Sequence, residues 1–145
     1  MKVIIAGSRT FTDRVAVFAA IDRCIPDPSI VDEVVSGCAR GVDCLGEQWA
    51  KRHNIPVREF PAQWNFHGAQ AGPTRNIAMA RYATEFREDE DYAIMLKPAK
   101  LVLVWDGASR GSAHMLKTAK RYGMDVVESI LDKSGKCPAT LDTFL

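Results

Sequence analysis

Short apolar runs alternate with helix-length amphipathic stretches along this chain, and the central runs end in glycine-bearing turns. Lys2-Val3-Ile4-Ile5-Ala6 leads into Gly7, Glu33-Val34-Val35 into Ser36 and Gly37, and Lys100-Leu101-Val102-Leu103-Val104-Trp105 into Asp106 and Gly107. Apolar runs of this length suit strands buried on both faces, as in a parallel sheet. Ile55-Pro56-Val57-Arg58-Glu59-Phe60 and Asp125-Val126-Val127-Glu128-Ser129 read as two further strands, the proline lying at a strand start, where it is tolerated. Strands alternating with helices predict an α/β layer fold around a mainly parallel sheet of about five strands.

Thr12 or Asp13 caps a first helix ending near Cys24, with Val17, Phe18, Ile21 and Cys24 on one face. A second helix over 42–53 turns Val42, Leu45 and Trp49 inward and stops near Asn54. Residues 61–73 read as a long loop with Trp64 and Phe66, and Thr74 caps a helix that carries Arg75, Asn76, Met79 and Tyr82. Residues 85–92 are charged and read as a solvated helix end or an exposed excursion. A last helix covers 112–122. The whole chain reads as a single domain over 1–145, with 131–145 a weakly structured tail.

Right-handed crossovers place the strand-to-helix turns along one edge of such a sheet, and ligands bind there at the point where strand order reverses. Ser36-Gly37-Cys38-Ala39-Arg40-Gly41-Val42-Asp43 is the end of a strand, a turn with two glycines and the first turn of a helix. Free N–H groups and the helix dipole favour an anion at that place, and Arg40 adds a planar charged fork. Gly7, Ser8, Arg9 and Thr10 form a second such turn. Asp106, Gly107, Ser109, Gly111 and Ser112 form a third, with Arg110 either a clamp or solvated. Arg75 and Asn76 open a helix behind Gly72-Pro73 and suit anion or base recognition. Trp64 and Phe66 either stack on a base or pack onto the domain. Asp43 either holds a ribose hydroxyl or caps its helix. Glu47, one helical turn on, lies where it can face the same crevice. A carboxylate near an anomeric carbon stabilises an oxocarbenium-like state or activates water, so Glu47 and Asp43 are the candidate catalytic groups, against a plain surface role for Glu47.

Several classes are excluded. No Gly-Lys-Ser/Thr follows the first turn and no Gly-x-Gly-x-x-Gly is present, so the chain is neither a Walker P-loop protein nor a conventional NAD binder. The four cysteines form no Cys-x-x-Cys pair and fit no zinc spacing; we expect no metal and no cofactor. Cys38 reads as a small loop residue and His114 as a neutral hydrogen-bonding group. A net charge of +1 gives no electrostatic case for bulk nucleic-acid or membrane binding. The start of the chain has no secretory pattern and no apolar run is of spanning length, so the expectation is a cytoplasmic protein with free thiols.

Ala6-Gly7-Ser8-Arg9, the turn over 36–43, Ala71-Gly72-Pro73-Thr74-Arg75-Asn76 and the turn Trp105-Asp106-Gly107-Ala108-Ser109-Arg110-Gly111-Ser112 occur in one order. As a set, over roughly residues 1–129, they resemble the YspA group of the SLOG superfamily, which also includes the DNA-processing protein DprA and the LOG phosphoribohydrolases. The resemblance implies a Rossmann-like three-layer sandwich. It also implies binding of a nucleotide or nucleotide-sugar derivative, such as an ADP-ribose-like compound or a nucleoside monophosphate. Members are proposed either to cleave such ligands at the N-glycosidic bond or to sense and sequester them. A homo-oligomer is the partner state it suggests. The LOG enzymes place a glutamate after a Pro-Gly-Gly-x-Gly-Thr turn; here Ala113-His114-Met115 stands there, so LOG chemistry does not carry over directly. DprA holds single-stranded DNA with a turn like that over 36–43, but this chain lacks the basic surplus for that role.

Overall fold

The computed structural model describes residues 1–88, 93–94 and 97–132. Five strands form one parallel sheet: β1 (Lys2–Gly7), β2 (Glu33–Ser36), β3 (Val57–Glu59), β6 (Ala99–Trp105) and β7 (Asp125–Ile130), in the order β3-β2-β1-β6-β7. β4 (Arg87–Glu88) and β5 (Ala93–Ile94) pair antiparallel as a separate ribbon. The helices are α1 (Arg14–Cys24), α2 (Val42–Arg52), α3 (Trp64–His67), α4 (Ala71–Thr84) and α5 (Arg110–Arg121).

The side-chain alternation of the central strands makes the three layers. Val3 and Ile5 of β1, with Val102 and Val104 of β6, pack against Val17 and Ile21 of α1 and Val42 and Trp49 of α2. Ile4 and Ala6, with Leu101 and Leu103, pack against Met79 and Ala80 of α4 and Met115 and Ala119 of α5. Both faces of β1 and β6 are therefore apolar, which is why these segments read as unbroken apolar runs. This is the Rossmann-like α/β sandwich.

The first crossover leaves β1 toward β2 on one side, while β6 lies on the other. Strand order thus reverses between β1 and β6, and a crevice opens beyond their carboxyl ends. The β1–β6 register runs from Lys2↔Ala99 to Gly7↔Val104, so both strands reach this edge together.

Asp13 caps α1 by accepting from the Ala16 N–H at 3.2 Å. Residues 61–73 are not the loop that their composition suggests. They become helical at Trp64, pass through a 3-10 turn over Gly68–Gln70, and enter α4 at Ala71. Gly72 and Pro73 lie inside the first turn of α4, and Thr74 is not its cap. A proline costs little there, because first-turn N–H groups have no intrahelical acceptor. In the charged stretch after α4, Glu85 adopts the left-handed conformation at the helix end and pairs with Lys2 and Lys97, each at 3.4 Å. Residues 89–92 and most of the expected tail, 133–145, lie outside the described residues. Leu131, at the start of that tail, is buried and donates its N–H to the Trp105 carbonyl at 3.0 Å. Among the described residues, no helix is long and apolar enough to cross a membrane.

Candidate functional site

Ser8 is the knot of the crevice. Its N–H donates to the Val104 carbonyl at 3.1 Å, its carbonyl accepts from the Val42 N–H at 3.3 Å, and its hydroxyl oxygen accepts from the Asp106 N–H at 3.3 Å. One buried serine thus joins the ends of β1 and β6 to the start of α2. The turn over 36–41 docks onto it through Gly41, whose φ is +75°; a Cβ there would stand 2.3 Å from the Ser8 carbonyl oxygen.

The start of α2 is partly taken up by the protein's own groups. Ser8 takes the Val42 N–H, and the Asp43 carboxylate accepts from the Ala39 N–H at 3.2 Å. Arg75 reaches across from α4 and donates to the Gly37 carbonyl and, through Nε, to Asn76 Oδ1 at 3.0 Å. Asp43 is 5% exposed. Burial pushes its carboxyl above the usual range, opposed by the Ala39 N–H, by Arg75 and Arg9, and by the Gly7 N–H. Burial lowers the proton affinity of Arg75, and Asp43 opposes that.

The start of α5 is different. Asp106 Oδ1 accepts from the Ala108 and Ser109 N–H groups at 2.9 and 3.0 Å, which holds the turn; Ser109, at the N-cap, makes no side-chain capping bond. Ser112 Oγ is buried, its residue 4% exposed, and has no hydrogen-bond partner among the described residues. A buried hydroxyl left unpaired costs about 1–3 kcal/mol, which sets Ser112 apart among the buried polar side chains of the described residues.

A cavity of about 370 Å³ lies between these elements. It brings together Gly7, Arg9 and Asp43 from one side and Arg75, Asn76, Ser109, Gly111 and Ser112 from the other. Gly37 and Arg40 line an adjoining hollow of about 250 Å³. Ser8, Ser36 and Gly41 are buried behind the walls. Thr10, Asp106 and Gly107 line neither space, and nor does Glu47.

Asp43 and Glu47 are therefore not presented together. Glu47 accepts from the Ser36 hydroxyl at 2.8 Å and lies with Cys38 and Glu59, one ligand atom of each falling within 4.8 Å of the others. Among the described residues, this is the group with the donors to hold a metal ion. Burial, and then the facing Glu59 carboxylate, raise the Glu47 carboxyl despite the Ser36 bond. Burial raises the Cys38 thiol, and Glu47 and Glu59 push it further. Cys38, though surface-accessible, is thus a poor nucleophile at neutral pH. Glu47→Gln removes one of the opposing charges, so alkylation of Cys38 by iodoacetamide at pH 7 should speed up about two- to fivefold. An unchanged rate would show that burial alone sets the thiol.

The cavity wall also holds His114 and Trp64. Asn76 Oδ1 accepts from Arg75, so its amide nitrogen faces His114 Nδ1 at 3.1 Å; Nδ1 is then the acceptor and the imidazole is neutral, with its proton on Nε2. Burial, with Lys117 nearby, lowers the histidine's proton affinity in agreement. The position four residues before Thr118, on the face of α5 that meets α4, is the signal that places His114 in the wall.

Residues 1–67 match the YspA, cpYpsA-related SLOG family. The Gene 61 protein of Mycobacterium phage D29 is 30% identical over 131 residues, a span of 87% of this chain and 94% of that protein. No solved structure matches the chain. The family match covers β1 to β3 and the turns that Ser8 and Gly41 lock together, while the phage relative extends the likeness over most of the remaining length. This chain belongs to the YspA, cpYpsA-related SLOG family.

Proposed function

We propose that the cavity binds a nucleotide or nucleotide-sugar derivative, a nucleoside monophosphate or ADP-ribose-like compound, with a phosphate at the start of α5. The carrying observation is Ser112 Oγ, a buried hydroxyl without a partner at a helix start whose cap side chain is also uncommitted. A phosphate oxygen accepts from both the hydroxyl and the free first-turn N–H groups, and the helix dipole adds to their attraction. Arg9 and Arg75 line the same space and supply the remaining countercharge. Asp43 stands opposite as an acceptor for a ribose hydroxyl.

Calorimetric titration with AMP tests this. Ser112→Ala should weaken AMP binding about tenfold, the worth of one charge-assisted hydrogen bond. It should also leave the free protein as stable or about 1 kcal/mol more so, because the unpaired hydroxyl is gone. Undiminished affinity would remove the phosphate from α5.

A second reading, hydrolysis of the ligand's N-glycosidic bond, is favoured by the buried Asp43 carboxyl in the cavity wall. Asp43 rather than Glu47 carries it, because Glu47 lines neither space. Appearance of free adenine from AMP or ADP-ribose would establish cleavage; ligand recovered intact leaves a sensor or sequestering protein. A single-stranded nucleic-acid role is not favoured at a net charge of +1.

A further inference from the structure

We infer that this site takes a ligand with two separated phosphates, the first at the start of α5 and the second in the hollow formed by Arg9, Arg40 and Arg75. The inference rests on the phosphate reading above and extends it to the class of ligand.

The hollow of about 250 Å³ has three arginines and no acidic residue in its wall. Neither Arg9 nor Arg40 makes an ion pair among the described residues. Arg9 lies close enough to Arg75 to lower its proton affinity, so the two repel across this space. An anion seated between them offsets that repulsion, and the arginine fork matches a phosphate's oxygens. Asp43 interacts with Arg9 and Arg75 but lines the other cavity, one carboxylate set against three arginines.

The two spaces adjoin. Arg9, Ala39, Trp64 and Arg75 belong to both walls. Trp64 is 49% exposed, and the Arg9 guanidinium stands 5.6 Å from its ring centroid. A flat aromatic face shared by two anion-binding hollows suits the base of a nucleoside whose phosphates reach in opposite directions. A nucleoside 3′,5′-bisphosphate or a 5′-phosphorylated dinucleotide has that form; a monophosphate fills only one end.

The test compares AMP, adenosine 3′,5′-bisphosphate and 5′-phosphorylated diadenylate by calorimetry, on the native chain and on Arg40→Gln. Arg40 is exposed, so the variant folds. At least one two-phosphate probe should bind the native chain about tenfold more tightly than AMP, with a steeper loss in salt. In Arg40→Gln the ratio of the two affinities should fall toward one. Equal affinity of all three probes for the native chain, or a ratio that survives Arg40→Gln, overturns the second subsite while leaving the first. Should AMP fail to bind while a two-phosphate probe binds and depends on Arg40, the arginine hollow stands and the phosphate at α5 falls.

Discussion

Gly7→Ala should destabilise the chain by about 3 kcal/mol or more, the upper range for forced overpacking, and lower the thermal midpoint by on the order of 10 °C. A Cβ at this position would stand 1.8 Å from the Val104 carbonyl oxygen. The obstacle is backbone of the neighbouring central strand, and no rotamer relieves it. Gly7 pairs with Val104 in the β1–β6 register, and the same carbonyl accepts from the Ser8 N–H. Making room means parting β1 from β6 and displacing the serine that also holds Val42 and Asp106. Gly111→Ala is the contrasting case. Nothing lies within 4 Å of its added Cβ, and alanine is favoured over glycine in a helix by up to about 1 kcal/mol. That variant should unfold at the same urea concentration as the native chain or a higher one. Equal midpoints for Gly7→Ala and the native chain would mean that the central register is wrong.

The difference between these two glycines also marks what a sequence discloses. β1 and β6 were legible because burial on both faces leaves only apolar residues between Lys2 and Gly7 and between Leu101 and Trp105. The convergence of distant turns followed from crossover handedness and needed no contact information. The entry to α4 was not legible, since Gly72-Pro73 carries the usual mark of a turn and a helix start tolerates the same pair. Nor was the fate of the two helix starts. The Val42 N–H of α2 is taken by the Ser8 carbonyl, which lies just beyond another strand, and the Ala39 N–H of the preceding turn by an Asp43 side chain that folds back to it. Ser112, one of several small residues in its turn, acquires meaning only when burial leaves its hydroxyl without a partner. Glu47 shows the limit of spacing arguments. One turn from Asp43 is near enough to share a face, but Ser36 on β2 and Glu59 on the adjacent β3 decide where its carboxylate lies.

Arg75→Met should cost about 3 kcal/mol of stability at neutral pH and distinctly less in acid. Asp43 binds its proton more readily in the folded chain than in the unfolded one, because burial outweighs its hydrogen bonds and neighbouring arginines. Such a group favours the fold fully below its unfolded pKa, about 3.9, and that contribution is lost as pH rises through the higher folded value. Arg75 limits the loss by stabilising the ionised carboxylate. Removing the guanidinium raises the folded pKa further, so the decline with pH continues to a higher pH and ends at a lower stability. Near pH 3.5, where Asp43 is largely protonated in both states, the charge-dependent part vanishes. What remains is the loss of the bonds to the Gly37 carbonyl and Asn76 Oδ1, about 1 kcal/mol each. Urea unfolding from pH 3.5 to 8 separates the two parts. Asp43→Asn in the Arg75→Met background should restore the pH-dependent portion alone, since the amide oxygen still accepts from Ala39 but carries no charge. A deficit constant across this range would mean that Arg75 holds the turn over 36–41 only through neutral hydrogen bonds. The cavity would then lack the charge coupling that sets an arginine shared by both hollows against the buried Asp43 carboxyl.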